Sequence, residues 1–148
     1  MSNDSAPAYA GDLSVGEVWD RLQKQSEATL IDVRTRPEWT YVGVCDLSEI
    51  AKQPAYIEWQ VFPSMQVASD FTQNLHAELA ARGVGLDAPL FFICRSGVRS
   101  KAAAIAMTGL GYEQCFNIAD GFEGQLDTEK HRGRSGGWKA AGLPWQQN

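Results

Sequence analysis

Apolar and polar positions along this chain alternate between two rhythms, one helical and one of short uninterrupted apolar runs. Val15, Val18, Trp19 and Leu22 recur at helical spacing behind Ser14 and Glu17. That S-x-x-E pair is a capping box, so the spacing predicts a helix over residues 15–25. Ala28–Arg34 is a compact apolar run ending in polar residues, the pattern of a buried strand. Pro37 suits the first position of a short helix running through Glu38 and Trp39. From Val44 to Val67 the pattern is ambiguous; Tyr56–Val61 reads as a strand, and Pro54 and Pro63 punctuate the stretch. Phe71, Leu75 and Leu79 then predict a helix over 69–81 that stops before Gly83.

Pro89–Cys94 is the clearest buried strand. An Ala-rich helix over Ser100–Leu110 follows, ended by Gly111, with Ala102, Ile105, Ala106 and Gly109 expected on the face that lies against a sheet. Cys115–Ala119 is a further strand, before a Gly-rich loop from Asp120 to Gly137 and a short helix near Trp138–Ala141. Strands alternating with helices imply an α/β fold with a parallel sheet. Ligands of such sheets sit beyond the carboxyl ends of the strands, where Cys94 and the loop after Ala119 both fall.

The 148 residues, 44% apolar and 21% charged, fit one domain, read as a flexible tail over 1–11 and a domain over 12–148. Runs such as Leu90–Ile93 and Ala102–Met107 are far too short to cross a bilayer. Met1–Gly11 has neither a basic start nor an apolar core, so no signal peptide is expected. Cys45, Cys94 and Cys115 are odd in number and widely spaced, without a C-x-x-C pair or nearby histidines. No disulfide framework and no metal site are expected, and a cytoplasmic location follows.

The net charge of −5 argues against nucleic acid as a partner, but the charge is uneven. Residues 88–112 and 130–148 hold 7 of the 13 basic residues and no acid. Basic segments in an acidic chain point to a small anionic ligand where they meet, or else to solvated charged faces.

The segment Cys94-Arg95-Ser96-Gly97-Val98-Arg99 joins a buried strand to a helix start. A sulfur placed there faces the helix's first free N–H groups, which with the dipole and with Arg95 and Arg99 favour a thiolate. Gly97 lets successive amides converge into an anion-binding nest. Cys94 is thus the candidate nucleophile, with Arg95, Ser96, Gly97, Val98, Arg99 and Ser100 as the substrate cradle. Its alternative is an inert buried cysteine.

CRSGVR resembles the active loop of the rhodanese sulfurtransferases, C-R-x-G-x-R in members that use thiosulfate. Ile31–Trp39 (IDVRTRPEW) resembles the family's upstream signature, and Gly121–Gly124 with Trp138 its downstream one. The resemblance implies a five-stranded parallel sheet flanked by helices on both faces and a Cys94 that cycles through a persulfide. It implies transfer from an anionic, thiosulfate-like donor to cyanide or a thiol, including a protein thiol, with no cofactor. Asp32, Arg34 and Glu38 match a motif expected to tie strand to helix by ion pairs. This chain departs from the family by inserting Phe122–Gly137, with His131, Arg132 and Arg134, between the glycines and Trp138.

Three competing readings stand beside this one. Cysteine phosphatases and arsenate reductases of related fold use C-x5-R, whereas four residues separate Cys94 from Arg99. A binding or sensor module on the same scaffold would ordinarily lack the nucleophile. Cys45 or Cys115 as a resolving cysteine competes with their simpler reading as core residues. Arg132 and Arg134 either steer an anionic donor or pair with Asp127 and Glu129 at the surface, and His131 reads as a surface residue.

Overall fold

The computed structural model describes residues 8–147. The chain opens with β1 (Gly11–Leu13) and enters α1 (Val15–Lys24) through the expected capping box. There Glu17 N–H donates to Ser14 Oγ and Ser14 N–H to the Glu17 carboxylate. Next come β2 (Thr29–Asp32), α2 (Arg36–Tyr41), β3 (Val44–Cys45), a single 3-10 turn (Ser48–Ile50) and β4 (Ala55–Tyr56). A small hairpin, β5 (Gln60–Val61) and β6 (Gln66–Val67), precedes α3 (Phe71–Ala81). The second half runs β7 (Pro89–Ile93), α4 (Val98–Gly109), β8 (Gln114–Ile118), α5 (Gly137–Ala140) and β9 (Trp145–Gln146).

Five strands pair in parallel in the order β1-β8-β7-β2-β4. Side chains alternate across this sheet and build two cores. On one face Ile31, Leu90 and Phe92 meet Phe71, Leu75 and Leu79 of α3 and Ala103, Ala104 and Met107 of α4. On the other Leu30, Phe91, Ile93 and Ile118 meet Val15, Val18 and Leu22 of α1 and Trp138 of α5. The expected sheet with helices on both faces is therefore present. β7 lies at its centre and is buried along its whole length, so its carboxyl end is a rigid mount.

Four expectations need correction. The strand expected over Tyr56–Val61 is broken. Ala55–Tyr56 pairs with β2, the chain then bends, and Gln60–Val61 pairs with Gln66–Val67. At the bend Trp59 packs its ring edge-on against Phe71 at 4.9 Å. The helix expected over Ser100–Leu110 begins two residues earlier, at Val98, because Gly97 takes φ +104° and turns the chain straight into the first turn. Its buried face is Ser100, Ala103, Ala104 and Met107, while Ile105 is exposed. Small residues on nearly every side leave α4 with little amphipathic signal, and Ser100 makes polar contacts on the buried face. Finally, β1 begins inside the segment expected as a tail; residues 1–7 of that tail lie outside the described residues.

Candidate active site

Cys94 follows the last residue of β7 and is buried, its Sγ 3.1 Å from the Gly97 N–H and 3.1 Å from Ser100 Oγ. The loop's shape has a clear backbone cause. Phe122 N–H donates to the Cys94 carbonyl at 2.8 Å, and Glu123 and Gly124 N–H both donate to the Arg95 carbonyl. Gln125 Nε2 takes the Ser96 carbonyl at 2.9 Å. In a trans peptide the N–H points opposite to the C=O of the preceding residue. Three consecutive carbonyls drawn toward 122–125 therefore turn the N–H groups of Arg95, Ser96 and Gly97 the other way, toward the sulfur's side. Of these, the Gly97 N–H reaches Cys94 Sγ at 3.1 Å, and the Gly-rich segment supports the loop from behind.

Two glycines make that contact possible. A Cβ on Gly97 would overlap the Ala119 carbonyl oxygen, and one on Gly121 would overlap the carbonyl oxygens of Cys94 and Arg95. Both also have positive φ, which side chains resist.

In front of the sulfur lies a cavity of about 380 Å³ lined by Glu38, Gln60, Met65, Cys94, Arg95, Ser96, Val98 and Arg99. Five of the seven expected site residues line it. Gly97 is buried and reaches the sulfur through its amide, and Ser100 stands behind the sulfur, fully buried. Gln60 and Met65, from the β5–β6 hairpin, were missed because nothing in that segment's pattern shows that it folds over the cysteine loop. Conversely, the inserted loop after Asp120 supplies no lining residue. It braces the cysteine loop, and the hairpin forms the mouth.

Arg99 departs from its expected role. Its guanidinium grips both oxygens of Glu38, at 2.7 and 3.0 Å, so its charge is compensated. Burial pushes the Glu38 carboxyl up, but hydrogen bonds from Arg99 and Thr35 outweigh this and hold it at about 2. Glu38 thus ties α2 to the cysteine loop. The expected link of Glu38 with Asp32 and Arg34 is replaced by two separate pairs, because Arg34 turns inward and closes on Asp32 at 2.6 Å. Arg34 also donates to the Gly43 carbonyl at 2.8 Å and stacks over Phe122 at 4.3 Å. Among the described residues no acid lies within ion-pair distance of Arg95, which is exposed at the rim.

The remaining candidates fall away from the sulfur. Cys45 and Cys115 are buried in the two cores. Burial pushes the Cys45 thiol well up and that of Cys115 to about 11, so neither is a ready nucleophile at neutral pH. A larger hollow of about 510 Å³ beside Cys45 has Lys52 and Arg82 in its wall. Both donate to backbone carbonyls. Arg134 pairs with Glu129 at 3.2 Å and approaches Asp127 at 3.9 Å, the surface pairing named as its alternative role. Arg132 donates to the Gly124 carbonyl, and His131 is exposed.

The chain is similar to known proteins over most of its length. The chain is 39% identical over 130 residues to an uncharacterized protein of Rickettsia conorii, covering 88% of this chain and 92% of that one. Against the crystal structure of Rv0390 from M. tuberculosis it shows 41% identity and a TM-score of 0.83, covering 95% and 99% of the two chains. The fold also matches the polysulfide-sulfur transferase homodimer of Wolinella succinogenes at TM-score 0.57 and 22% identity, covering 95% of this chain and 82% of that one. None of the described helices is long and apolar enough to cross a membrane. The rhodanese-like domain family matches residues 14–127, a span that holds both the Asp32–Glu38 segment and the cysteine loop, and the chain belongs to that family.

Proposed function

We propose that this protein is a sulfurtransferase that carries sulfane sulfur as a persulfide on Cys94. The observation that carries the reading is the sulfur itself, set at the floor of the cavity and receiving the Gly97 N–H at 3.1 Å. Ionised Cys94 attacks the outer sulfur of an anionic donor such as thiosulfate. The donor's S–S bond breaks, sulfite leaves with the electron pair, and a new S–S bond forms on Cys94. The amides of Arg95, Ser96 and Gly97 face the negative charge that then rests on the outer sulfur. An acceptor, cyanide in an assay or a thiol in a cell, attacks that outer sulfur and releases Cys94 as a thiolate. No bound metal or organic cofactor enters these steps. The Wolinella protein's name adds polysulfide to the donors worth assaying.

Loop size separates this reading from its nearest rival. Only four residues lie between Cys94 and Arg99, and Arg99 is spent on Glu38, so no arginine is left to clamp a phosphate at the far end. A binding module without chemistry is disfavoured by the intact nucleophile and its oriented amides. Steady-state kinetics with thiosulfate and cyanide test the proposal. Parallel double-reciprocal lines, the sign of a covalent shuttle, are expected together with negligible hydrolysis of aryl phosphates. Aryl phosphatase turnover lost on Cys94→Ser would overturn it.

A further inference from the structure

Behind the sulfur runs a chain of hydrogen bonds that the transfer steps do not use. Ser100 Oγ lies 3.1 Å from Cys94 Sγ and donates to Asn117 Oδ1 at 2.6 Å. Asn117 Nδ2 donates to the Asp12 carboxylate at 3.0 Å, and Tyr9 OH donates to the same oxygen. Ser100 and Asn117 are buried, whereas Asp12 is exposed at the edge strand β1.

The direction of every proton in this chain follows from its outer end. A carboxylate only accepts, so the Asn117 nitrogen must face Asp12 and its oxygen must face Ser100. Ser100 has one hydroxyl proton, and Asn117 takes it. Toward Cys94 the serine therefore presents a lone pair. A thiol satisfies that lone pair by donating its S–H. A thiolate does not, unless Ser100 swings its proton to the sulfur and gives up its 2.6 Å bond to Asn117. Gly97 N–H pulls on the same sulfur in the opposite sense.

We propose that Asn117, oriented by Asp12, is a positioning residue that keeps the Ser100 proton away from Cys94 and so withholds that hydrogen bond from the ionised sulfur. The inference rests on Cys94 being the nucleophile, but its test reads ionisation and not sulfur transfer. Other charged groups on this side of the sheet are Arg95 at the rim, Arg99 with Glu38 of α2, and Asp32 at the end of β2 with Arg34 just beyond it; the last four are paired among themselves. The β5–β6 hairpin contributes only Gln60 and Met65.

The experiment follows alkylation of Cys94 by iodoacetamide against pH, with the site read by peptide mass and ionisation checked by thiolate absorbance. Asn117→Leu removes the acceptor that holds the Ser100 proton, so the midpoint should move down by about one pH unit, roughly a tenfold faster reaction below it. Asp12→Ala, an exposed change that leaves no buried cavity, frees the Asn117 amide to turn and should shift the midpoint the same way by a smaller amount. That shift should persist at about 1 M salt, where the Debye length is about 3 Å and loss of the Asp12 charge alone has little reach. A midpoint that stays put or rises in folded Asp12→Ala, or a shift that salt abolishes, overturns the inference. Thiosulfate loading of the same variants reads the sulfurtransferase proposal separately, since a failed loading leaves the alkylation profile intact.

Discussion

At Cys94 the polar surroundings of a buried sulfur come from backbone direction more than from nearby charge. Arg99, the residue that most invites an electrostatic role, has its charge compensated by Glu38, so the amides of Arg95–Gly97 are the main polar surface offered to an incoming anion. Gly97 bears most of that arrangement. An alanine there would force a side chain into φ +104° and against the Ala119 carbonyl oxygen. Gly97→Ala should therefore destabilise the fold by about 1–3 kcal/mol and reduce thiosulfate turnover far more than thermal stability alone explains. Thermal melts and turnover at a temperature where the variant is folded check both halves. Cys94 and its loop were legible in the sequence because cysteine, glycine and arginines fall within six consecutive residues. Asn117 was not, since one polar residue between Phe116 and Ile118 carries no local sign that it faces a serine from another element.

Among the elements, the site is where four segments press together: the β7–α4 loop, the Gly-rich segment after β8, α2, and the hairpin beyond β4. Strands and helices longer than four residues were readable from periodicity, as Phe71, Leu75 and Leu79 show for α3. Two-residue strands and the three-residue β1 are fixed by tertiary pairing, and Ala55–Tyr56 would have no reason to extend without β2 beside it. The rotation of α4 was likewise hidden, because its small residues would suit several faces. The Arg99–Glu38 pair joins α2 to the cysteine loop and has a consequence for pH. The Glu38 carboxyl stands at about 2 in the folded chain, below its unfolded value of about 4.3. Its contribution to stability is thus fully present above the unfolded value and is lost as pH falls toward about 2. Denaturant midpoints measured across that window should fall with acid in the wild type. In Glu38→Gln that part of the decline should be absent, and turnover at neutral pH should drop because Arg99 loses its anchor.

For the whole molecule, a net charge of −5 sets the background against which the proposed anionic donor would approach. The two basic segments looked alike in sequence, but the structure divides them. Arg134 is paired with acids and Arg132 with a backbone carbonyl, whereas Arg95 stands at the cavity rim without an acid in ion-pair range among the described residues. Steering of the donor is therefore expected from Arg95. Arg95→Gln should raise KM for thiosulfate severalfold at low salt with kcat little changed, the difference shrinking as salt rises. An equal KM at low salt would remove Arg95 from donor capture. The central claim, that Cys94 carries the transferred sulfur, is tested most directly by intact-mass spectrometry of the protein after exposure to thiosulfate, followed by peptide mapping and addition of cyanide. The account predicts a gain of one sulfur atom on the peptide holding Cys94, its removal by cyanide, and no adduct in Cys94→Ser. Sulfur mapped to Cys45 or Cys115, or thiocyanate formed at near the wild-type rate by Cys94→Ser, would contradict it.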